Sequence, residues 1–290
     1  MNIDKAMPDT NSVIEAHGLS KSYGKKVALD GAKFKVGRGR IVGLIGPNGA
    51  GKTTAIKAIL GLTAFTGTLK VLGLDPFKQR EALMQQACFI ADVAILPRWA
   101  RVQDLVGYVE GVHPRFNRSR CEALLAATDV KAKSRVGELS KGMIVQLHLA
   151  LIMAIDAKIL ILDEPTLGLD ILYRKRFYEQ LIGDYFDGER TILITTHQVE
   201  EIEPLLTDVL FINRGKIVLN APMDELSERF SQVTVDASRA EQARALQPIA
   251  ERKLLGKSQF LFEGADRARL REFGDLAPPS LSELFVALMG

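Results

Sequence analysis

The sequence has little of several features that mark particular classes of protein. It contains only two cysteines, Cys88 and Cys121, in 290 residues. They lack the paired spacing of a metal site, which favours reduced thiols in a cytosolic protein. The formal net charge of +3 is too small to indicate a nucleic acid or a membrane surface as a partner.

The sequence also lacks a long apolar run. Its most apolar region, residues 147–162, is interrupted by His148, Asp156 and Lys158, so we expect no transmembrane segment. The polar N-terminus has no apolar core of the kind found in signal peptides, and we expect residues 1–12 to be a disordered lead-in. Any membrane role therefore depends on a partner.

The chain is organised around residues 41–54, IVGLIGPNGAGKTT. The apolar run at 41–45 predicts a buried parallel strand, and a helix is expected to begin near Lys52. The glycines between them would turn backbone N–H groups toward a phosphate, Lys52 would reach the β- and γ-phosphates, and the Thr53 hydroxyl would ligate Mg²⁺. The predicted nucleotide-binding residues are Gly46, Pro47, Asn48, Gly49, Ala50, Gly51, Lys52, Thr53 and Thr54.

Two carboxylates follow a second apolar run, at 158–162. Asp163 and Glu164 would lie at the carboxyl end of a central strand, where α/β sheets bind ligands. We expect Asp163 to hold Mg²⁺ through water and Glu164 to orient or deprotonate the attacking water. His197 follows the next predicted strand, 191–195, and is placed to bond the γ-phosphate.

The remaining periodicity predicts an α/β fold: a P-loop NTPase sheet with an antiparallel β subdomain and a helical insertion, plus a small α+β C-terminal domain. The predicted boundaries are 13–230 for the main domain, about 95–156 for the insertion and 231–290 for the C-terminal domain. Helices are expected at 76–86, 171–186, 222–230 and 239–250. Asp170 is predicted to cap the second of these, and Ser280 and Glu283 form a capping box before a final helix.

Further motifs, in this order, resemble the ATP-binding cassette family over about residues 13–225. The run Leu139-Ser140-Lys141-Gly142-Met143 is similar to the family's Leu-Ser-Gly-Gly-Gln signature, with lysine and methionine as departures. Gly168-Leu169-Asp170 resembles the D-loop, and His197 the switch histidine. Tyr23 fits the adenine-stacking aromatic, although a half-buried tyrosine at a strand end is the other interpretation.

The resemblance implies that two cassettes face each other head to tail and trap two ATP molecules. Each ATP would contact Lys52, Thr53, Thr54 and Asp163 of one subunit and Ser140 and Gly142 of the other. Since the chain carries one P-loop and one signature, it would need a second cassette, identical or not. Lys52, Glu164 and His197 would be the catalytic residues.

One element of the family pattern differs. The Q-loop glutamine should follow the strand at 88–91, but the sequence reads Ala91-Asp92-Val93. We hypothesise that Asp92 takes that position, as a nucleotide contact and a ligand of Mg²⁺. Trp99 would lie on the same docking face or would simply pack locally.

The signature, the single cassette and the final PPSLSELFVALMG resemble bacterial exporter ATPases. This implies an ATPase subunit held on the cytoplasmic face of the membrane by a separate permease. Residues 231–290 would stabilise the dimer, tune activity or cap the cassette. The alternative is a soluble cassette ATPase acting on nucleic acid or ribosomes, although the chain has no tandem cassette and no sustained heptads.

Two further classes fit less well. A P-loop kinase or GTPase would leave the signature and His197 without a role. A catalytically silent, regulatory cassette disagrees with the presence of Lys52, Glu164 and Ser140.

Overall fold

The computed structural model describes residues 11–91, 96–167 and 171–289. Its strands are β1 (Ser12–Tyr23), β2 (Lys26–Gly37), β3 (Ile41–Ile45), β4 (Thr66–Val71), β5 (Ala87–Ala91), β6 (Ile159–Asp163), β7 (Thr191–Thr196), β8 (Asp208–Asn213), β9 (Lys216–Pro222), β10 (Phe230–Asp236), β11 (Ala250–Leu254), β12 (Lys257–Glu263) and β13 (Asp275–Ala277). Its α-helices are α1 (Lys52–Ile59), α2 (Arg80–Met84), α3 (Val102–Val112), α4 (Arg118–Ala126), α5 (Lys141–Met153), α6 (Ile171–Gln180), α7 (Val199–Ile202), α8 (Met223–Arg229), α9 (Ala240–Arg244), α10 (Arg267–Arg271) and α11 (Leu281–Met289).

The central sheet has the strand order β5-β6-β7-β3-β8-β9, parallel throughout except for β9. Both of its faces are covered. In β6, Leu160 and Leu162 pack into one hydrophobic cluster while Ile159 and Ile161 pack into another on the opposite face. This double burial explains why the parallel strands read as unbroken apolar runs. Because β3, β6 and β7 run parallel, their carboxyl ends lie at the same edge of the sheet.

Two smaller layers flank the central sheet. The antiparallel sheet β2-β1-β4 shares a hydrophobic cluster with the P-loop helix, through residues such as Ile14, Phe34 and Ile56. The helices α3, α4 and α5 form a separate cluster that includes Val102 and Leu147. Helix α5 contributes its other side to the main core, so it links the insertion to the sheet.

The C-terminal residues form a second antiparallel sheet, β11-β12-β10-β13. The last helix, α11, leaves this sheet and packs on the main core through Leu281 and Leu284. Phe285 meets Phe211 of β8 edge to face, with the ring centroids 5.5 Å apart. The C-terminal segment therefore shares its core with the parallel sheet.

The predicted fold class is confirmed, with the antiparallel sheet, the helical insertion and the C-terminal α+β region all present. The capping box of α11 is also found, because Ser280 N donates to Glu283 Oε2 (2.8 Å) and Glu283 N donates to Ser280 Oγ (3.2 Å). Within the described residues, no helix has the length and apolar content needed to cross a bilayer.

Two predicted helices were too long. The helix expected at 76–86 is only α2, because the Asp75 carboxylate accepts hydrogen bonds from the amides of Phe77 and Lys78 and holds a turn before it. The helix expected at 239–250 is only α9, since Gln247 adopts φ +56° immediately before Pro248. The helix expected at 171–186 is found, as α6 followed without a break by a π-helical turn over Leu181–Tyr185.

Both cysteines are free and buried, as the prediction of reduced thiols requires. Burial raises the pKa of Cys88 to about 12 and that of Cys121 to about 11. The protonated thiol is a weak nucleophile and a poor metal ligand, so these residues serve as core side chains.

Candidate nucleotide site

The P-loop connects β3 to α1 and is shaped by its glycines. A Cβ at Gly46 would overlap the carbonyl of Ile212, and one at Gly51 would lie 2.5 Å from the carbonyl of Ala28. Gly51 also has φ +114°, which favours glycine. This glycine is the N-cap of α1, and its lack of a side chain leaves the first amides of the helix without a side-chain partner. A phosphate is the natural partner for such amides.

Lys52 is the buried cation of this loop. The residue is only 7% exposed. Its Nζ donates to the carbonyl of Gly46 at 2.6 Å and lies 3.8 Å from Oε1 of Glu164. The lysine thus spans the P-loop and the acidic pair, and its ammonium is held beside the helix N-terminus where phosphates bind.

The acidic pair is oriented by Thr195, which sequence reasoning did not single out as a site residue. Thr195 is fully buried on β7, directly opposite Asp163 in the parallel register. Its hydroxyl donates to Asp163 Oδ1 at 2.6 Å and accepts from the amide of Glu164 at 3.1 Å. One hydroxyl therefore fixes the side chain of the first acid and the backbone of the second.

Glu164 has an unusual backbone conformation and two partners. Its φ is +51°, a region that residues other than glycine seldom adopt. The turn directs the carboxylate between Lys52 and His197, whose Nδ1 lies 2.8 Å from Glu164 Oε2. The expected γ-phosphate contact of His197 stays a prediction, and in this structure the imidazole holds the glutamate.

Part of the P-loop, the start of α1 and the acidic pair line one cleft of about 300 Å³. Its walls consist of Tyr23, Lys26, Ala28, Pro47, Asn48, Gly49, Gly51, Lys52, Thr53, Thr54, Asp163 and Glu164. Tyr23 is 48% exposed at the end of β1, with Lys21 Nζ 5.0 Å from its ring centroid. Half of this aromatic surface is accessible, as a stacking platform for a base requires.

The cleft also offers oxygen ligands for a divalent cation. The Thr53 hydroxyl and the Asp163 carboxylate line the same space. Within the described residues, no cluster of three or more His, Cys, Asp or Glu side chains could hold a metal by itself. This set fits Mg²⁺, which is usually bound by one or two protein oxygens together with phosphates and water. Asp92, the other predicted ligand, lies outside the described residues.

The signature residues lie elsewhere. Ser140 is the N-cap of α5, and its hydroxyl accepts from the amide of Met143 at 3.3 Å. Among the described residues, the lining of the cleft includes none of positions 140–143. Ser140 and Lys141 are exposed, whereas Gly142 is buried. The predicted D-loop residue Asp170 lies outside the described residues.

Gly142 is buried because an aromatic ring covers it. A Cβ added at Gly142 would lie 2.6 Å from the hydroxyl oxygen of Tyr173 and closer still to two of its ring carbons. Tyr173 lies in the first turn of α6. Its contact with the signature was not predicted, since no local pattern relates two residues so far apart in the chain.

Comparison with known proteins agrees with this geometry. The ABC transporter family matches residues 29–167. The chain is 32% identical over 310 residues to the Nod factor export ATP-binding protein I of Paraburkholderia xenovorans (strain LB400), covering 98% of both chains. It is 30% identical over 311 residues to the daunorubicin resistance ATP-binding protein DrrA3 of Streptomyces coeruleorubidus, covering 98% of this chain and 97% of that protein.

A solved structure shares the fold as well as the sequence pattern. It is described as the ATP-binding subunit of an ABC transporter, with a TM-score of 0.67 and 25% sequence identity, and the match covers 74% of this chain and 92% of that one. The chain therefore belongs to the ABC transporter ATP-binding proteins, and it is an ABC transporter ATPase.

Proposed function

We propose that this chain is the ATP-hydrolysing subunit of an exporter and that it works as one of two cassettes that close around ATP. The main support for this proposal is that the nucleotide cleft and the signature lie at different places on the chain. Lys52 and the acidic pair line the cleft, and His197 contacts Glu164 beside it, while the Ser140 end of α5 is exposed and does not line that cleft. A second cassette supplies the missing signature, and this chain supplies its own in return.

The residues of the cleft have separate tasks in hydrolysis. Lys52 exchanges the Gly46 carbonyl for the β- and γ-phosphate oxygens, where its charge offsets the negative charge of the transition state. Glu164 accepts the proton of the attacking water as the water oxygen bonds to the γ-phosphorus and the bond to the β-phosphate oxygen breaks. His197 holds the Glu164 carboxylate in place through the 2.8 Å contact.

Thr53 and Asp163 are the residues that would hold Mg²⁺ in this cleft. The metal neutralises phosphate charge when bound. The hydroxyl of Thr195 keeps Asp163 oriented through the 2.6 Å hydrogen bond, and the same hydroxyl fixes the turn that presents Glu164. Removing the hydroxyl would free Asp163, whereas Glu164 N would keep the Thr195 carbonyl, at 3.2 Å, as an acceptor.

The remaining partner is a membrane permease, which carries the transport path and holds this chain at the cytoplasmic face. Two relatives support export as the direction, since one is named for Nod factor export and the other for daunorubicin resistance. Trp99 is 75% exposed, so close local packing does not account for it. We assign it to the permease docking face.

The sharpest test is the mass in solution of Glu164→Gln, measured by light scattering with and without ATP and Mg²⁺. The amide cannot accept the proton, so the closed state accumulates. We expect hydrolysis to fall by roughly 10²–10⁴-fold and a dimer to form only with ATP. A monomer throughout, with ATP binding confirmed, would contradict a self-sufficient homodimer and point to a different cassette.

The permease is tested separately by co-expression with a candidate membrane subunit. We expect wild-type chain to sediment with membranes only when that subunit is present and Trp99→Ala to sediment less. Tyr108→Ala is the matched control, because Tyr108 is also exposed, at 68%. Co-sedimentation with ribosomes instead would overturn the exporter assignment.

A further inference from the structure

Tyr173 joins the signature to the helix that follows the acidic pair. The ring lies so close to the Cα of Gly142 that a side chain larger than hydrogen would fit only if the ring shifted. Tyr173 is also in contact with the main core cluster, which fixes the ring from its other side. Helices α5 and α6 are therefore in close contact near their N-terminal ends, through a ring that is packed on both sides.

Helix α6 is in turn attached to the loop after Glu164. The hydroxyl of Thr166, two residues beyond Glu164, lies 3.3 Å from the hydroxyl of Tyr178 on α6. Both residues are buried, and burial raises the pKa of Tyr178 to about 12, so this hydrogen bond joins two neutral hydroxyls over the physiological range. A buried hydrogen bond thus joins the acid loop to α6.

A second attachment reaches the segment that carries His197. Arg174 on α6 hydrogen-bonds Gln198, the residue after His197, and forms an ion pair with Glu201 at 2.6 Å. The Arg174 side chain is only 19% exposed, so water screens this pair less than it would on the surface. Helix α6 therefore contacts both loops that hold the catalytic groups of the cleft.

We propose that Tyr173 is a positioning residue that couples the nucleotide cleft of one subunit to the signature that the same subunit presents to its partner's ATP. The inference rests on the proposed function. Nucleotide in the cleft moves the Glu164 and His197 loops, α6 follows them, and the Tyr173 ring carries Gly142 and the start of α5. The glycine is then required by this contact within the chain as well as by the partner's ATP.

The test is a double-mutant cycle in the Glu164→Gln background, read out as the ATP concentration for half-maximal dimerisation. We expect Tyr173→Ala to raise that concentration about tenfold, because the signature is no longer held, while the ATP affinity of the monomeric chain is unchanged. Tyr173→Phe keeps the ring against Gly142 and should keep most of the wild-type dimerisation. Tyr108→Ala, an exposed tyrosine on α3, is the matched control.

The cycle is completed with Gly142→Ala. The added methyl group overlaps the ring and should also weaken dimerisation about tenfold, but in the Tyr173→Ala background the loss should be clearly smaller, because only the contact with the partner's ATP is left to disturb. Equal losses in both backgrounds would mean that Gly142 acts only on the partner's ATP, which overturns the proposal. A Tyr173→Phe variant as poor as Tyr173→Ala would overturn the ring contact as the cause.

The coupling through α6 is tested with Arg174→Gln. This change breaks the link to Gln198 and should weaken dimerisation several-fold alone, with no further loss when combined with Tyr173→Ala. Additive losses would overturn the coupling. Failure of the parent Glu164→Gln chain to dimerise would overturn the proposed homodimer and the inference together, whereas a normal parent with an unaffected Tyr173→Ala variant would overturn the inference alone.

Discussion

Helices α1 and α5 both begin at a motif that we propose to bind phosphate, yet their first turns are satisfied in different ways. Helix α1 starts after Gly51, which provides no side-chain cap. Helix α5 starts after Ser140, whose hydroxyl already accepts from the amide of Met143. An uncapped helix start is stabilised by an arriving anion, while a capped one must give up or share its own hydrogen bond.

The lysines at the two helix starts also differ in how firmly the chain holds them. Lys52 is buried and held by Gly46 and Glu164, whereas Lys141 is exposed on the first residue of α5, with no acidic residue in that turn. The P-loop is thus preformed for nucleotide within one chain. The first turn of the signature helix is capped within the chain, and under the proposed function it gains a phosphate partner only when a second chain approaches.

Among the variants that test this difference between α1 and α5, Lys52→Ala is expected to have the largest effect. The variant loses a charge-assisted hydrogen bond to phosphate, so ATP binding should weaken by roughly 2–3 kcal/mol, about thirtyfold or more. Calorimetric titration of the monomeric chain with ATP measures this directly. Lys57→Ala is the matched control, because Lys57 lies exposed on the same helix. Equal ATP affinity in both variants would contradict a preformed cleft.

The P-loop was largely predictable from the sequence, because the residues that form it are close together in the chain. The run 41–45, the glycines and Lys52 adjoin one another in the sequence, and the structure reproduces the strand and the helix start. Asp163 and Glu164 were found for the same reason, at the end of an apolar run. Local patterns report strand ends and turns well.

The parts of the site and the fold that the sequence did not predict depend on contacts between residues far apart in the chain. Thr195 acts on Asp163 only because the parallel register places the two side by side, and Tyr173 covers Gly142 only because α5 and α6 pack together. The docking of α11 through Leu281 on the main core is another such contact. Hydrophobic periodicity identifies each element, but it does not say which neighbour covers it.

A second, smaller difference between the helices concerns pH. His148 lies buried on α5, its Nδ1 has no hydrogen-bond partner in the described part of the chain, and burial lowers its pKa to about 4. The unfolded chain then binds a proton between pH 6.5 and 4 that the folded chain does not, so stability falls as the pH falls through that range. At pH 5 this amounts to about 2 kcal/mol.

His148→Leu should remove this acid sensitivity. The free energy of unfolding, measured by urea titration at pH 7 and pH 5, should fall less in the variant than in wild type. His17→Leu, an exposed histidine on β1, is the control and should keep the wild-type difference. If all three chains lost the same stability between the two pH values, the acid sensitivity would not come from the signature helix.

The smallest expected effect tests whether the Ser140 cap serves the partner as well as its own helix. Ser140→Ala removes the acceptor for Met143 N, and Asn117→Ala removes the acceptor for Arg120 N at the start of α4. Each variant should lose about 1 kcal/mol of unfolding free energy, since both remove an N-cap in the same helical layer. Thermal or urea unfolding measures that common loss.

Their effects on dimerisation should differ, because only one of the two caps belongs to the signature. In the Glu164→Gln background, Ser140→Ala should need more ATP for half-maximal dimerisation, while Asn117→Ala should match the parent. Equal stability losses with unequal dimerisation would separate the serine's contact with the partner's phosphate from its local role. Equal effects on both quantities would reduce Ser140 to an ordinary helix cap, and the comparison between the two helix starts would then rest on Gly142 and Lys52 alone.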